Sequence, residues 1–261
     1  MQDLFTYAER PTAAIIKHTN PCGAAFGKDL TEAFVRAWQG DPLAAFGGIV
    51  ALSGNVEDDL AHTIAAGEKF LEVIIAPTFS EKAKHVLTNR WKNVRLLAVG
   101  NEIRPEQWQQ LRSVPGGFLM QSAGPITADV SKWEHVAGPT PNDAIVDDAA
   151  IAWITCAHLK SNSISIVSDG SLIGGGMGQV DRVSAANLAI LRAGETLTSA
   201  VNPVAGSDAF FPFPDGPQLL IEAGIKCIVQ PGGSVRDQET IDVCNNADVT
   251  LLHTGERCFR H

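Results

Sequence analysis

The chain has little positive charge to spare. Lys and Arg number 20 against 29 Asp and Glu, a formal net charge of -9, whereas a surface for phosphate backbones needs clustered Lys and Arg. Long hydrophobic runs are missing too. Nothing reaches the ~18 apolar residues that cross a bilayer, and Asp3 and Glu9 interrupt the start where a secretory signal would need an apolar stretch. The five cysteines (22, 156, 227, 244 and 258) are scattered, odd in number and without a Cys-x-x-Cys pair, which speaks against a disulfide framework and for a reducing, cytoplasmic setting. Pro21-Cys22-Gly23 overlaps one fragment of a zinc deaminase signature, but the second Cys and the His-x-Glu are lacking, so no metal is expected. Low-complexity tracts are absent as well. What is present, 261 residues of which 45% are hydrophobic, suffices for one large or two moderate cores.

Short apolar segments alternate with helical periodicity. Strands are predicted around 13–16, 48–52, 71–75 and 94–99, with helices over 30–38, 58–66 and 80–87. The second half repeats the alternation, with a helix over 145–159, strands near 164–167, 227–229 and 249–252, and helices near 183–192, 217–223 and 235–245. This is an α/β layered pattern. The join falls in 123–142, where Gly124, Pro125, Gly138, Pro139 and Pro141 break periodicity, giving expected domains 1–125 and 126–261.

Five segments carry chemistry. Ile15-Ile16-Lys17-His18-Thr19-Asn20-Pro21-Cys22-Gly23 ends an apolar strand in two adjacent proton-carrying side chains, with Pro21 and Gly23 expected to turn the backbone away; exposed Lys and His at a strand end are also plain surface. Lys160-Ser161-Asn162-Ser163-Ile164 links a helix to a strand. Ile173-Gly174-Gly175-Gly176-Met177-Gly178 fits neither a dinucleotide fingerprint nor a P-loop, and reads as backbone approaching a ligand or as a tight structural turn. Ser207 to Gly216 gathers three of the eleven Phe residues among prolines, a slot for a flat heterocycle with Asp215 at hand, or core packing. Gln230-Pro231-Gly232-Gly233-Ser234-Val235-Arg236-Asp237 reads as strand end, glycine turn and helix start.

Taken in order with their spacing, and with the terminal Arg257-Cys258-Phe259-Arg260-His261 (Arg-x-Phe-x-His), these segments resemble the AICAR (5-aminoimidazole-4-carboxamide ribonucleotide) formyltransferase family, the formyltransferase domain of bifunctional purine-biosynthesis proteins. The similarity runs from about residue 10 to the end. It implies two cytidine-deaminase-like three-layer α/β lobes, an intertwined homodimer with shared sites, and transfer of a formyl group from the co-substrate 10-formyltetrahydrofolate to the 5-amino group of AICAR. Residue by residue, the resemblance places Lys17 and His18 at the catalytic pair and Asn162 at the substrate-orienting Asn. It puts Phe46 and Gly47 at the loop that meets the base, and Glu72 where some members carry Asp. Phe210, Ser234, Val235 and Arg257 fall at substrate contacts, and Arg182, Val183 and Asp215 at folate contacts.

Such chemistry asks for these residue types. The substrate amine is conjugated and weakly nucleophilic, so its proton must leave as the bond forms. Histidine, titrating ordinarily near about 6.5, suits that step, and a lysine stabilises oxyanion charge or protonates the leaving nitrogen. An Asn amide offers both donor and acceptor for alignment. Local positive charge at Lys17, Arg182 and Arg257 is expected to receive an anionic nucleotide. The family's Arg-Tyr-Gly-x-Asn-Pro-x-Gln segment, which grips the ribonucleotide, is not among these residues. The expectation is therefore a fragment or shortened homologue, working with a separate cyclohydrolase or amino-terminal segment, or else a non-catalytic module that binds purine nucleotide and folate.

Overall fold

The computed structural model describes residues 1–101 and 108–260; His261, the last residue of the terminal motif, lies outside them. Helix α1 (Gln2–Ala8) leads into the hairpin β1 (Thr12–Lys17) and β2 (Asn20–Phe26), then α2 (Leu30–Gly40), the short α3 (Pro42–Ala45), β3 (Gly48–Leu52), α4 (Asp58–Ala65), β4 (Leu71–Ala76), α5 (Glu81–Arg90) and β5 (Arg95–Ala98). After a separate two-stranded ribbon of β6 (Trp108–Val114) and β7 (Gly117–Ala123) come β8 (Glu134–Ala137), α6 (Asp143–His158), the hairpin β9 (Ile164–Ser168) and β10 (Ser171–Gly176), α7 (Arg182–Ser199), β11 (Val204–Ser207), α8 (Asp215–Glu222), β12 (Cys227–Gln230), α9 (Asp237–Asn246) and β13 (Thr250–His253).

Helix starts follow capping chemistry. The side chains of Asp29, Ser80, Asn142 and Asp181 each accept a hydrogen bond from the backbone N–H three residues on, opening α2, α5, α6 and α7. The strands form one 11-stranded mixed sheet in the order β5-β4-β3-β1-β2-β10-β9-β11-β12-β13-β8. Its wings are parallel (β3-β4-β5 and β11-β12-β13) and its centre antiparallel. Each half repeats one plan: an antiparallel hairpin, then three helix-to-parallel-strand steps, with the first hairpin strand next to the third strand. The halves meet where β2 pairs with β10 at Ala25 and Ser171.

Strand alternation distributes the core over both faces. Ala13 and Ile15 of β1 pack with α2, α4 and α5, while Ile164 and Ile166 of β9 pack with α7, α8 and α9. On the opposite face Ala14, Ala24, Val167 and Val229 pack under α1 and α6. That second face is incompletely covered over the first half, where Ile49 of β3 and Leu97 of β5 stay exposed. No helix among the described residues is long and apolar enough to cross a membrane.

The α/β pattern and most elements match the sequence reading, with three corrections. Pro21 and Gly23 do not turn the chain: both lie within β2, and the turn is made by His18 and Thr19. Residues 174–176 are not a loop but the buried end of β10. A Cβ on Gly174 would stand 2.4 Å from the Ala189 carbonyl oxygen and one on Gly176 1.9 Å from that of Ala185, so these glycines let α7 lie close on the sheet. Gly23 plays the same part against Ala37 of α2, at 1.9 Å. Finally, α8 begins at Asp215 and α9 at Asp237, leaving Ser234 and Val235 in the preceding turn.

Candidate functional site

The tip of the first hairpin carries Lys17 and His18. His18 and Thr19 have φ of 50° and 65°, the left-handed values that a two-residue turn needs to match strand twist, in a region that costs non-glycine residues free energy. The tip is held by neighbours: Asn20 Nδ2 donates to the His18 carbonyl at 3.2 Å, and Lys17 Nζ donates to the Phe46 carbonyl at 2.5 Å. Phe46 follows α3, whose start is capped by Asp41. Its ring, 52% exposed, sits 5.5 Å from that of Phe70. Gly47, at φ 76°, donates its N–H to the Phe70 carbonyl, and Glu72 is exposed two residues further on at the start of β4. Lys17, His18, Phe46, Gly47 and Glu72 are thus gathered at one end of the first half's sheet.

The second half meets this end through Asn20, whose Oδ1 accepts the Lys160 N–H at 3.0 Å. Two residues further on, Asn162 has both ends of its amide engaged: Nδ2 donates to the Gln179 carbonyl at 3.1 Å, and Oδ1 accepts from Arg182 Nη2 at 2.9 Å. The other guanidinium nitrogen, Nη1, donates to Ser207 Oγ at 3.0 Å and to the Asp208 carboxylate. Arg182 is buried and ion-paired, so its charge is met by Asp208 inside the protein. Asp208 extends the network to Phe210 and the carboxyl end. Its backbone carbonyl accepts the Cys258 N–H, and the Arg257 guanidinium lies 5.1 Å over the Phe210 ring.

A cavity of about 160 Å³ opens beside the hairpin tip, lined by Lys17, His18 and Asn20 from the first half and by Gly174, Gly175 and Met177 from the second. Asp41 and Arg192, paired at 2.6 Å across the seam, close one side. Two larger hollows, of about 340 and 810 Å³, lie around the other hairpin's turn at Asp169. They lack an adjacent Lys-His pair, and the chemistry singles out the smaller one.

Other candidate residues lie apart from the Lys17–Asn162 group. Asp215, exposed on the first turn of α8, accepts from the Gly216 N–H. Ser234 Oγ accepts from the Arg236 N–H, while Val235 projects fully into solvent. Arg236 stacks 4.8 Å over Phe213, which joins the 211–215 and 231–237 segments. The aromatic slot is therefore divided: Phe211 is core, whereas Phe210 and Phe213 each face an arginine. Val183, partly buried, follows Arg182 in the first turn of α7.

Beneath these loops the Gln230 side chain accepts the Phe211 N–H and donates to Nε2 of His253 at 3.0 Å. Burial lowers the His253 pKa, opposed by Asp237 and Glu134. Cys22 donates to the Ile15 carbonyl, and burial pushes its thiol up to about 11, so it is no ready thiolate. All five cysteines are free. Among the described residues no three His, Cys, Asp or Glu side chains are grouped to hold a metal ion.

Sequence reasoning passed over Asn20, Ser161, Phe70, Asp208 and the Asp41–Arg192 pair. Only Asp208 left a trace in the sequence, a carboxylate directly after the apolar run of β11, where burial without a partner would be costly.

The sequence has relatives among known proteins. Residues 2–192 match the model of the AICARFT/IMPCHase bienzyme family. The chain is 43% identical over 256 residues to the bifunctional purine biosynthesis protein PurH of Cutibacterium acnes, which covers 97% of the chain and 48% of that relative. Identity to the proteins of the same name from Oceanobacillus iheyensis and Rhodopirellula baltica is 40% and 39%, each over 96% of the chain and 48% of the relative. An α/β protein whose strand-end Lys-His pair meets an Asn-Arg-Asp network across a sheet seam, the chain belongs to the AICARFT/IMPCHase bienzyme family. It spans about half the length of the curated relatives it matches.

Proposed function

We propose that this chain serves purine biosynthesis as the formyl-transfer part of its family's machinery, moving the formyl group of 10-formyltetrahydrofolate to the 5-amino group of AICAR. The observation that carries the reading is the meeting of Lys17 and His18 with the Asn162 loop through the Asn20–Lys160 hydrogen bond, since transfer between two bound molecules needs acid-base groups and an aligning amide at one point.

In this reading His18, exposed at the turn, takes the proton of the substrate amine as its nitrogen attacks the formyl carbon. Lys17, steered by the Phe46 carbonyl toward the loop that would meet the base, stabilises the oxyanion of the tetrahedral intermediate and supplies a proton to the folate nitrogen as its bond to that carbon breaks. Asn162 retains one amide N–H and one lone pair beyond its internal bonds for alignment. Asp215 and Val183 would face folate, and Phe210, Arg257, Glu72, Ser234 and Val235 the AICAR side. Arg182, bonded to Asn162, Ser207 and Asp208, would act by holding Asn162 rather than by offering charge.

The cavity of about 160 Å³ is smaller than the roughly 300–1,000 Å³ usual for pockets of drug-sized ligands. Together with the exposed Phe46, Ile49 and Leu97, this supports a site completed by further protein, as the shared sites of a homodimer or an additional segment would provide. We assign residues 1–125 and 126–261 to two cytidine-deaminase-like lobes on the strength of the repeated strand plan, and place the protein in the cytoplasm with AICAR, the folate and a cyclohydrolase as its partners.

The test is tetrahydrofolate release from 10-formyltetrahydrofolate with and without AICAR. AICAR-dependent release supports formyl transfer. Binding of both ligands without release favours the second reading, suggested by the small cavity, of a binding module that turns over only with a partner chain.

A further inference from the structure

We infer that Asp208 is a positioning residue for formyl transfer, acting through Arg182 and Ser161 to fix the Asn162 amide; the inference rests on the formyl-transfer reading above. Asp208 is 0% exposed, so it reaches no substrate itself. Each of its carboxylate oxygens has a partner: Oδ1 takes Arg182 Nη1, and Oδ2 takes the Ser161 hydroxyl at 2.5 Å. Arg182 then places Nη2 on Asn162 Oδ1 at 2.9 Å, while the Gln179 carbonyl holds Asn162 Nδ2 at 3.1 Å.

The consequence concerns which way the amide points. An Asn side chain flipped by half a turn occupies the same space but exchanges donor for acceptor. A guanidinium donates only, and a backbone carbonyl accepts only, so Arg182 and Gln179 together permit one orientation. Arg182 can select it only while its planar fork is held, and the Asp208 carboxylate, with Ser207 Oγ, is what holds the fork. The same carboxylate fixes Ser161, the residue before Asn162, and so sets the backbone that presents the amide. Asp208 also ties the Phe210 and Arg257 wall to the loop, because its N–H donates to the Ser163 carbonyl and its carbonyl accepts from Cys258. Neither Asp208 nor Ser161 was among the residues that sequence reasoning assigned to the site.

The experiment compares kcat and KM for AICAR and 10-formyltetrahydrofolate in the full chain carrying Asp208→Asn or Ser161→Ala. Asp208→Asn keeps the size of the side chain but can turn an amide donor toward Arg182, releasing the fork. It is expected to lower kcat on the order of a hundredfold, the scale of a misplaced aligning group, with KM for AICAR unchanged and the folded protein monitored by circular dichroism. Ser161→Ala removes one hydroxyl and is expected to lower kcat about tenfold; it decides the matter if Asp208→Asn does not fold. Unchanged kcat in a folded variant, or a rise in KM alone, would overturn the positioning role while leaving formyl transfer standing. A wild-type chain without AICAR-dependent release overturns both.

Discussion

Hairpin β9-β10 turns through Asp169 and Gly170, with φ of 50° and 74°, and hairpin β1-β2 turns through His18 and Thr19, with φ of 50° and 65°. The backbone course is alike and the sequences are opposite in kind. Asp-Gly is a pair such turns favour, whereas a histidine followed by a β-branched threonine is one they disfavour. The second turn is also tied to its surroundings: Asp148 accepts the N–H groups of Asp169 and Gly170 at 2.8 and 2.7 Å, and Arg36 pairs with Asp169. The first is held by Asn20 and by the lysine anchored on Phe46. Where one fold element occurs twice, the copy that breaks the local sequence rule is the one to suspect of carrying function.

The most severe way to break this comparison is to remove the side chains that distinguish the first turn. Lys17→Ala and His18→Ala are each expected to cut AICAR-dependent tetrahydrofolate release by about a hundredfold or more, read as kcat/KM. The feature the hairpins share is tested by the glycines beneath them. Gly23→Ala and Gly176→Ala each drive a Cβ to 1.9 Å from a helix carbonyl oxygen and are expected to cost about 3 kcal/mol in urea unfolding. Gly117→Ala in the β6-β7 ribbon, with nothing within 4 Å, is expected to stay within about 0.5 kcal/mol.

A sharper version exchanges the turns themselves. Replacing His18-Thr19 by Asp-Gly is expected to stabilise the fold by about 1–2 kcal/mol while abolishing turnover; a stabilised variant that kept its activity would remove the turn from the mechanism. The smallest effect concerns acidity. Folded His253 binds its proton less readily than the unfolded chain does, because it is buried. The unfolded state therefore takes up more protons as pH falls through the ordinary histidine range, and stability is full above that range and declines below it. The thermal midpoint of wild type is expected to fall on acidification there, and that of His253→Gln to fall less.

Periodicity and punctuation made much of the architecture legible in the sequence. The helices over 30–38 and 80–87 and the strands at 48–52 and 71–75 are found close to where their patterns put them, because each has a capping residue or an apolar core to fix it. Less legible were β2 and β10, whose glycines read as loop. A glycine required by a neighbouring helix looks, in sequence, like one required by a turn, and only the packing of α2 and α7 tells them apart. The Lys17-His18 pair was visible because it ends an apolar run. The commitment of Arg182 to Asp208, 26 residues later, was not, since a buried ion pair between a helix start and a strand end leaves no periodic mark.

The halves are laced together away from the covalent chain. β2 pairs with β10, and Asp3–His158, Tyr7–Asp147, Asn20–Lys160 and Asp41–Arg192 cross the seam. Covalent continuity between the halves thus contributes to assembling the site through local concentration. A nick between Gly116 and Gly117 would leave two fragments that keep their docking surfaces, one bearing Lys17 and His18 and the other Asn162. Mixing the separately produced fragments is expected to restore the AICAR-dependent release that the proposed function assigns to the intact chain, making the seam itself the quantity that such an assay measures.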